Sequence, residues 1–459
     1  MSTIRHGFAD QMAVDTTIPR IACMEKLESA LELRTMSHHH DEMSVLGNEH
    51  IPASQKIPVI ARPFVSERAL KTLDVLERFV EERCIPADKV HERQLGTNLE
   101  QRFSTVPPII EQLKLEARKL GLWNMFLPKA HFTEGAGFSC LEFGLMAEYL
   151  GKSTVASEAT NCAAPDTGNM EVLAKYGTPE QKQRWLAPLL EGQIRSAFVM
   201  TEPGVASSDA TNIRFSIRRD GDSYVLNGEK WWSSGAPDPR SSLYILMGKS
   251  DPSNPNPYRQ QSILLVPANS PGITIKRTLS LPVSSVVLGE GRGFEVMQGR
   301  LGPGRIHHAM RAVGNAERAL EYFVARICDP KKKPFQKLLS EHGIMLERIA
   351  RSRVEIDAAR LAVLNAAIKI DTVNAKGALK EISEVKIQTP AMVSRVADWA
   401  IQSFGAAGVC QDTPLPEIWV AGGVMRIAQN AVARELLAQH GMNDEDHLQL
   451  NRSSGQSKL

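Results

Sequence analysis

The chain has 459 residues, with 54 lysines and arginines against 52 aspartates and glutamates for a net charge of +2. That length supports two or three packed units sharing a large core, and the composition excludes collagen, coiled coil and membrane protein. Interspersed charge of either sign gives no field for nucleic acid, and no apolar run reaches the roughly 20 residues of a membrane helix, so small molecules are the expected partners.

Residues 1–60 read as a polar, irregular leader without a secretory signal, and His38 to His40 within it read as a solvated cluster rather than a metal site. From 61 to 195 the pattern is helical. Leu70, Leu73, Leu76 and Phe79 recur at helical spacing over Glu67–Glu82, and Ile109–Leu120 and Ser139–Tyr149 follow. Thr178-Pro179 sets an N-cap and a first-turn proline ahead of QKQRWLAPLL. From 196 to 290 short β-type runs (SAFVM, IRFSIRR, SYVLNG, LYILMG, SILLVP, ITIKR) alternate with Gly, Pro, Asn and Asp, with DPSNPNPYRQ as an exposed hairpin loop. From 291 to 440 helical periodicity returns over Ile306–Arg326, Gln336–Asp371, Leu379–Phe404 and Glu417–Gln439. Residues 441–459 form a polar tail ending in Ser457-Lys458-Leu459, the tripeptide read by the peroxisomal import receptor. The fold expected is mainly α with a small β-domain. The six cysteines (Cys23, Cys84, Cys140, Cys162, Cys328, Cys410) are scattered without a CxxC pair and read as reduced packing residues.

Four segments carry possible chemistry. FVMTEPGVASSD, at 198–209, follows a strand and offers the hydroxyls of Thr201, Ser207 and Ser208, while Gly204 and Ala206 allow backbone N–H groups close to a flat or anionic ligand; an ordinary polar turn is the competing reading. NGEKWWSSGA, at 227–236, puts adjacent tryptophans and serines at a strand end, so that one indole can enter the sheet core while Trp232 lines a ligand face. The glycine-dense run from Gly289 to Gly304 reads as an approach to a helix beginning at Arg305, which suits a phosphate or a carbonyl-bearing ligand. It precedes no βαβ unit, which disfavours a dinucleotide-binding Rossmann site. QSFGAAGVC, at 402–410, ends a long helix and also reads as a plain C-cap.

Taken in their order and spacing, TEPGVASSDATNI, GEKWWSSGA, GRGFEVMQGRLGPGRIHH and QSFGAAG resemble the acyl-CoA dehydrogenase family over residues 65–428, most closely the branch of human family members ten and eleven. The resemblance implies an N-terminal helical domain, a middle β-barrel-like domain and a C-terminal four-helix bundle, assembled as a homodimer or homotetramer with FAD at the junctions. It implies that Phe198, Val199, Met200, Thr201, Glu202, Ser207 and Ser208 wrap the flavin, with Thr201 bonding the ring system and Ser208 near the acyl-CoA. It places Trp232, Ser233 and Ser234 along the isoalloxazine, Arg305 beside the acyl pocket, and Gln402, Gly405 and Ala406 against the FAD of a neighbouring subunit.

The reaction implied is formation of a 2,3-enoyl-CoA, for which a base removes the α-proton and the flavin accepts the β-hydride. Here the chain departs from the family: the acidic loop expected after VMRIAQ is missing, Gln429 stands about where its first carboxylate belongs, and an amide cannot act as the base. Gly302-Pro303-Gly304 supplies no carboxylate, and Glu417 and Glu435 read as solvated charges. The stretch between Arg277 and Val287 is shorter than in relatives, which predicts loss of paired strands, and Lys332-Lys333-Pro334-Phe335-Gln336 stands where the family has Arg-x-x-Phe-Gly. The alternatives are an acyl-CoA oxidase, and a non-catalytic family member serving as an oligomer subunit. A terminal SKL on this branch also resembles fungal proteins of peroxisomal toxin or other secondary-metabolite synthesis, with β-oxidation equally open.

Overall fold

A computed structural model describes residues 50–98, 105–207, 209–273, 279–282, 287–288, 290–410 and 412–424. His38 to His40, Cys23, Ser208, Gln429, Glu435 and Ser457-Lys458-Leu459 lie outside these residues.

Helix α1 (Glu67–Phe79) starts where Ser66 accepts the Ala69 N–H, and it buries Leu73, Leu76 and Phe79 as its spacing predicts. One π-type turn, Val80–Cys84, joins it to α2 (Ile85–Leu95). Helix α3 (Pro108–Lys119) buries Ile109, Ile110, Leu113 and Ala117. Helix α4 (Cys140–Gly151) carries a capping box, in which Ser139 accepts the Glu142 N–H and Glu142 accepts the Ser139 N–H. The other Glu142 oxygen accepts the Ser66 N–H at 2.9 Å, so a single buried carboxylate ties the starts of α1 and α4. Helix α5 (Asp166–Tyr176) leads to Thr178, which caps the next turn as expected with Pro179 at its first position and also completes a capping box with Gln181.

The leader ends sooner than the sequence suggested. Ala53 and Ile57 are buried, the Ala53 N–H donates to Glu77 at 2.8 Å, Ser54 donates to Asp74 through both its N–H and its hydroxyl, and Lys56 pairs with Glu77. Polar composition hid this segment because its anchors are acids on α1 rather than a periodic apolar face.

The sheet comprises β1 (Arg195–Val199), β2 (Ser216–Asp220), β3 (Ser223–Asn227), β4 (Ser241–Lys249), β5 (Gln261–Pro267) and β6 (Leu279–Pro282). β4 pairs antiparallel with β5 along one edge, while its other edge takes β1 in parallel and, at Lys249, the start of β2. β2–β3 is an antiparallel ribbon continued by β6. The loss of paired strands expected after Arg277 is therefore corrected in part: Leu279–Pro282 forms a strand that covers β3, while most of ITIKR lies outside the described residues.

β4 and β5 read as continuous apolar runs because they are covered on two faces. Leu243, Ile245, Met247, Ile263 and Leu265 enter the helical core, whereas Leu246, Leu264 and Val266 alternate with them into a small core closed by Ala197, Val199, Phe215, Ile217, Tyr224 and Leu226. The sheet is thus curled around its own core and seated on the helices.

Helix α6 (Gly293–Ile327) has 35 residues, and with α7 (Gly343–Thr372), α8 (Leu379–Phe404) and α9 (Leu415–Val424) it makes the C-terminal four-helix unit. Its start corrects the sequence reading: Arg305 lies a dozen residues inside a helix, so Gly302-Pro303-Gly304 forms no phosphate-binding helix entrance. Burial of Val296, Met297 and Ile306 outweighs the poor helix propensity of that tripeptide. The thiols also divide, since Cys84, Cys140 and Cys162 are buried whereas Cys328 is exposed and Cys410 half-exposed, so among the described thiols the first three pack.

Candidate functional site

β1 delivers the Phe198–Met200 backbone to a loop that the chain then locks from within. Val199 is buried, and Phe198 and Met200 pack at the edge of the helical core. Glu202 turns inward: its carboxylate accepts the Arg214 N–H at 2.7 Å and the Phe215 N–H at 3.0 Å and pairs with Lys230 at 2.7 Å. Ser207 closes the turn by accepting the Glu202 N–H at 2.9 Å. Glu202 and Ser207, both expected at the ligand, thus spend their side chains on the loop itself and leave only backbone to offer.

The loop after β3 meets this one. Lys230 also donates to the Met200 carbonyl at 2.7 Å, the Trp231 N–H donates to the Thr201 carbonyl at 3.0 Å, and the Thr201 hydroxyl donates to the Trp231 carbonyl. Two segments some thirty residues apart, both singled out by sequence, are zipped together at Thr201. Burial pushes the Lys230 ammonium down to about 8, against the pull of Glu202.

The expectation for the tryptophans is corrected. β3 ends at Asn227 and Gly228 leaves the strand at φ +148°, with no room for a Cβ beside the Phe215 ring, so strand alternation no longer applies. Trp231 and Trp232 are both outside the core, 48% and 82% exposed, with rings edge to face at 6.0 Å. Trp232 has φ +53°, a left-handed backbone that costs an L-residue about 1–2 kcal/mol. Ser233 and the exposed Ser234 follow, and at Gly235 (φ +83°) a Cβ would sit 3.0 Å from the Ser196 carbonyl and 3.4 Å from the Pro165 ring.

The helical wall is less crowded with partners. Arg305 is half-buried on α6, and desolvation lowers its pKa. Arg311, two turns on, donates to the Cys162 carbonyl at 3.2 Å and so holds α6 against the loop that carries Pro165. His307 is buried edge to face with Phe143, ring centroids 4.4 Å apart, and burial pushes it down to about 3, with Arg311 adding to the effect. The neutral form is therefore required in the fold, whereas the unfolded chain takes a proton near 6.5, so stability present above that pH drains as pH falls toward 3. Between pH 7 and pH 5 this group accounts for about 2 kcal/mol. Urea midpoints for wild type and His307→Leu at the two pH values should show a smaller pH difference in the variant.

Gln402, Gly405 and Ala406 are exposed at the end of α8, where Gly405 at φ +64° terminates the helix. The C-cap reading of QSFGAAG is the one seen at this helix end. Glu417 is exposed, as expected of a solvated charge, and Phe335 is 90% exposed at φ +55°. Sequence reasoning missed Lys230, Asp238 and Pro165; Lys230 lies inside and Asp238 just beyond the GEKWWSSGA segment, whereas Pro165 is near none of the motifs.

Exposed indole faces flanked by Thr201, Ser233 and Ser234 on a loop held rigid from below fit a flat heteroaromatic group with polar edges, which is the chemistry of an isoalloxazine. A helical domain, a curled sheet seated on the helices and a four-helix unit define a three-domain α/β/α architecture.

The comparisons give the family. The acyl-CoA dehydrogenase N-terminal, middle and C-terminal domain models match residues 66–193, 197–290 and 291–442. Acyl-CoA dehydrogenase family member 10 of Mus musculus is 46% identical over 393 residues, covering 81% of this chain and 36% of that protein. A Mycobacterium tuberculosis protein named a probable acyl-CoA dehydrogenase is 47% identical over 343 residues, covering 70% of this chain and 82% of its own. A solved structure of an acyl-CoA dehydrogenase candidate from Mycobacterium abscessus superposes with TM-score 0.78 at 42% identity, covering 82% of this chain and 99% of that one. The chain belongs to the acyl-CoA dehydrogenase family of oxidoreductases. It spans about a third of the mouse relative and half of the human family member 11 that it also matches.

Proposed function

We propose that the protein is an FAD-dependent acyl-CoA dehydrogenase that forms a 2,3-enoyl-CoA. The observation that supports this reading is the joining of Thr201 to Trp231, which brings the two loops into one platform, with Gly235 against the Pro165 ring. Bound there, FAD would accept the hydride equivalent from the β-carbon. Thr201, Ser233 and the backbone of Met200–Glu202 would orient the ring edge, and the indoles of Trp231 and Trp232 would exclude water from its face. Arg305 would face the acyl-CoA, with Ser208 contributing from outside the described residues. Gln402, Gly405 and Ala406 would meet the cofactor of a neighbouring copy in a homodimer or homotetramer.

Trp232→Ala and Thr201→Val should each weaken FAD binding about tenfold or more, the scale of one aromatic contact or one hydrogen bond to the ring. Equilibrium dialysis of the apoprotein against FAD reads this directly, and unchanged affinity in both variants would overturn the assignment of the platform. A second reading, a family fold kept as an oligomer subunit without turnover, is favoured by Gln429 standing where a carboxylate is expected.

Peroxisomal import through Ser457-Lys458-Leu459 belongs to the same proposal, and it fits acyl-CoA chemistry in β-oxidation or secondary-metabolite synthesis. A fluorescent fusion that keeps the tripeptide at its C-terminus should co-localise with peroxisomes and become diffuse when the tripeptide is removed. Diffuse signal from the intact fusion would contradict it.

A further inference from the structure

The platform loop is held at its far end by a charge network to which neither the fold's packing nor the proposed chemistry has yet given a role. Asp238 closes the loop: its N–H donates to the Gly235 carbonyl at 3.2 Å, one carboxylate oxygen accepts the Arg240 N–H at 2.9 Å and Nε at 3.0 Å, and the other takes Arg240 Nη2 at 2.7 Å. That second oxygen also lies 3.4 Å from Arg195, which opens β1. Arg195 in turn pairs with Asp166 at 2.9 Å and Glu158 at 2.6 Å, and Arg240 reaches the other Glu158 oxygen at 2.7 Å. Asp166 finally accepts the Ser196 N–H at 2.7 Å, one residue into the strand that becomes the Thr201 loop.

The consequence is geometric. The segment from Trp231 to Asp238 is fixed at one end by Lys230 and Thr201 and at the other by Asp238, with Gly235 wedged between Ser196 and Pro165. Trp232 stands between those two clamps in a left-handed backbone while its ring faces outward. A strained residue of that kind persists only where its surroundings over-determine it. The charged groups making the second clamp have side chains at most one-fifth exposed, so solvent screens them little.

We infer that Asp238 is a positioning residue for the FAD platform: through Arg240 and Arg195 it holds the Trp232 loop in its strained, outward-facing conformation before the cofactor arrives. This rests on the FAD reading above. Pre-organisation of this kind strengthens binding by removing the cost of ordering the loop. Asp238 touches no reacting atom, and its effect should reach the substrate only through the cofactor.

The test uses the full chain labelled with 5-fluorotryptophan, with the Trp232 fluorine resonance assigned by its loss in Trp232→Phe. In wild-type apoprotein that resonance should be single and narrow. In Asp238→Ala it should broaden or move toward the unfolded position, and the FAD dissociation constant should rise about tenfold or more, the loss of one charge-assisted hydrogen bond. The acyl-CoA KM of the FAD-saturated variant should stay near wild type. Asp238→Asn, which keeps an acceptor for the Arg240 N–H, should fall between and decides the matter if the alanine variant fails to fold. Lys114→Met removes a cation that lies 3.5 Å from Glu158 in the same network without touching the loop, and it should leave the Trp232 resonance and the FAD affinity alone. A Trp232 resonance unchanged in folded Asp238 variants, or one disturbed equally by Lys114→Met, would overturn the inference. A wild-type protein that binds no FAD would instead sink the function proposed above, and the fluorine spectra of the apoprotein would still judge Asp238.

Discussion

Lys230→Met lowers the unfolding free energy by about 3–5 kcal/mol, the usual cost of removing one partner from a buried ion pair. Lys230 and Glu202 side chains are each 6% exposed, so the carboxylate left behind has no route to water and keeps only the N–H groups of Arg214 and Phe215. The substitution also strips a donor from the Met200 carbonyl, and the ammonium 5.1 Å above the Phe215 ring is lost with it. Because the same pair joins the two platform loops, FAD affinity should fall together with stability. Adding Glu202→Gln, which neutralises the stranded charge, should recover a measurable share of the stability without restoring the affinity. Chemical denaturation of the three apoproteins checks the first effect, and a loss below about 1 kcal/mol would contradict the account of the pair.

Two Gly→Ala substitutions in one helix should act with opposite sign. At Gly314 an added Cβ would lie 1.9 Å from the Glu148 carbonyl, because α6 crosses α4 there with Gly151 facing it; a Cβ on Gly151 would in turn strike the Arg311 carbonyl at 2.3 Å. Neither obstacle is a flexible side-chain end, so the helices must part, and Gly314→Ala should cost about 3 kcal/mol. At Gly304 nothing lies within 4 Å of the added atom, and the helix should gain about 0.5–1 kcal/mol in backbone entropy. Parting α4 and α6 also moves Arg311 relative to the Cys162 carbonyl, so Gly314→Ala should weaken the platform where Gly304→Ala does not. Thermal melts of both variants decide the signs.

Much of the architecture was legible because local signals agreed with packing. Thr178 caps a helix with Pro179 at its first position as its sequence announces, Ser139–Tyr149 is helical, and LYILMG and SILLVP form strands. The sequence misled where a tertiary contact overruled a local rule. Gly302-Pro303-Gly304 looks like a helix entrance but sits inside α6, and the tryptophan pair looks like a strand end but follows the exit at Gly228. Glu202 and Ser207 were read as ligand groups because hydroxyls and a lone acid invite that reading. Their partners, Lys230 and the N–H groups of Arg214 and Phe215, become neighbours only when the sheet curls. Asp238 and Arg195 escaped notice for the same reason: 43 residues separate them, and no periodicity links a loop to a strand start.

Arg305 shows a different limit. It is a half-buried cation on α6 whose pKa desolvation lowers, whereas Gln429, where the family likeness places a carboxylate, lies outside the described residues. FAD binding and turnover together carry the proposed function. Anaerobic titration of the purified protein, after incubation with FAD, against a series of saturated acyl-CoA thioesters tests it most directly. A yellow protein whose visible flavin absorbance is bleached by at least one member of the series is the predicted result, and reoxidation on admitting air would then separate oxidase from dehydrogenase behaviour. A protein that stays colourless after incubation, or one whose flavin no acyl-CoA reduces, would contradict the reading.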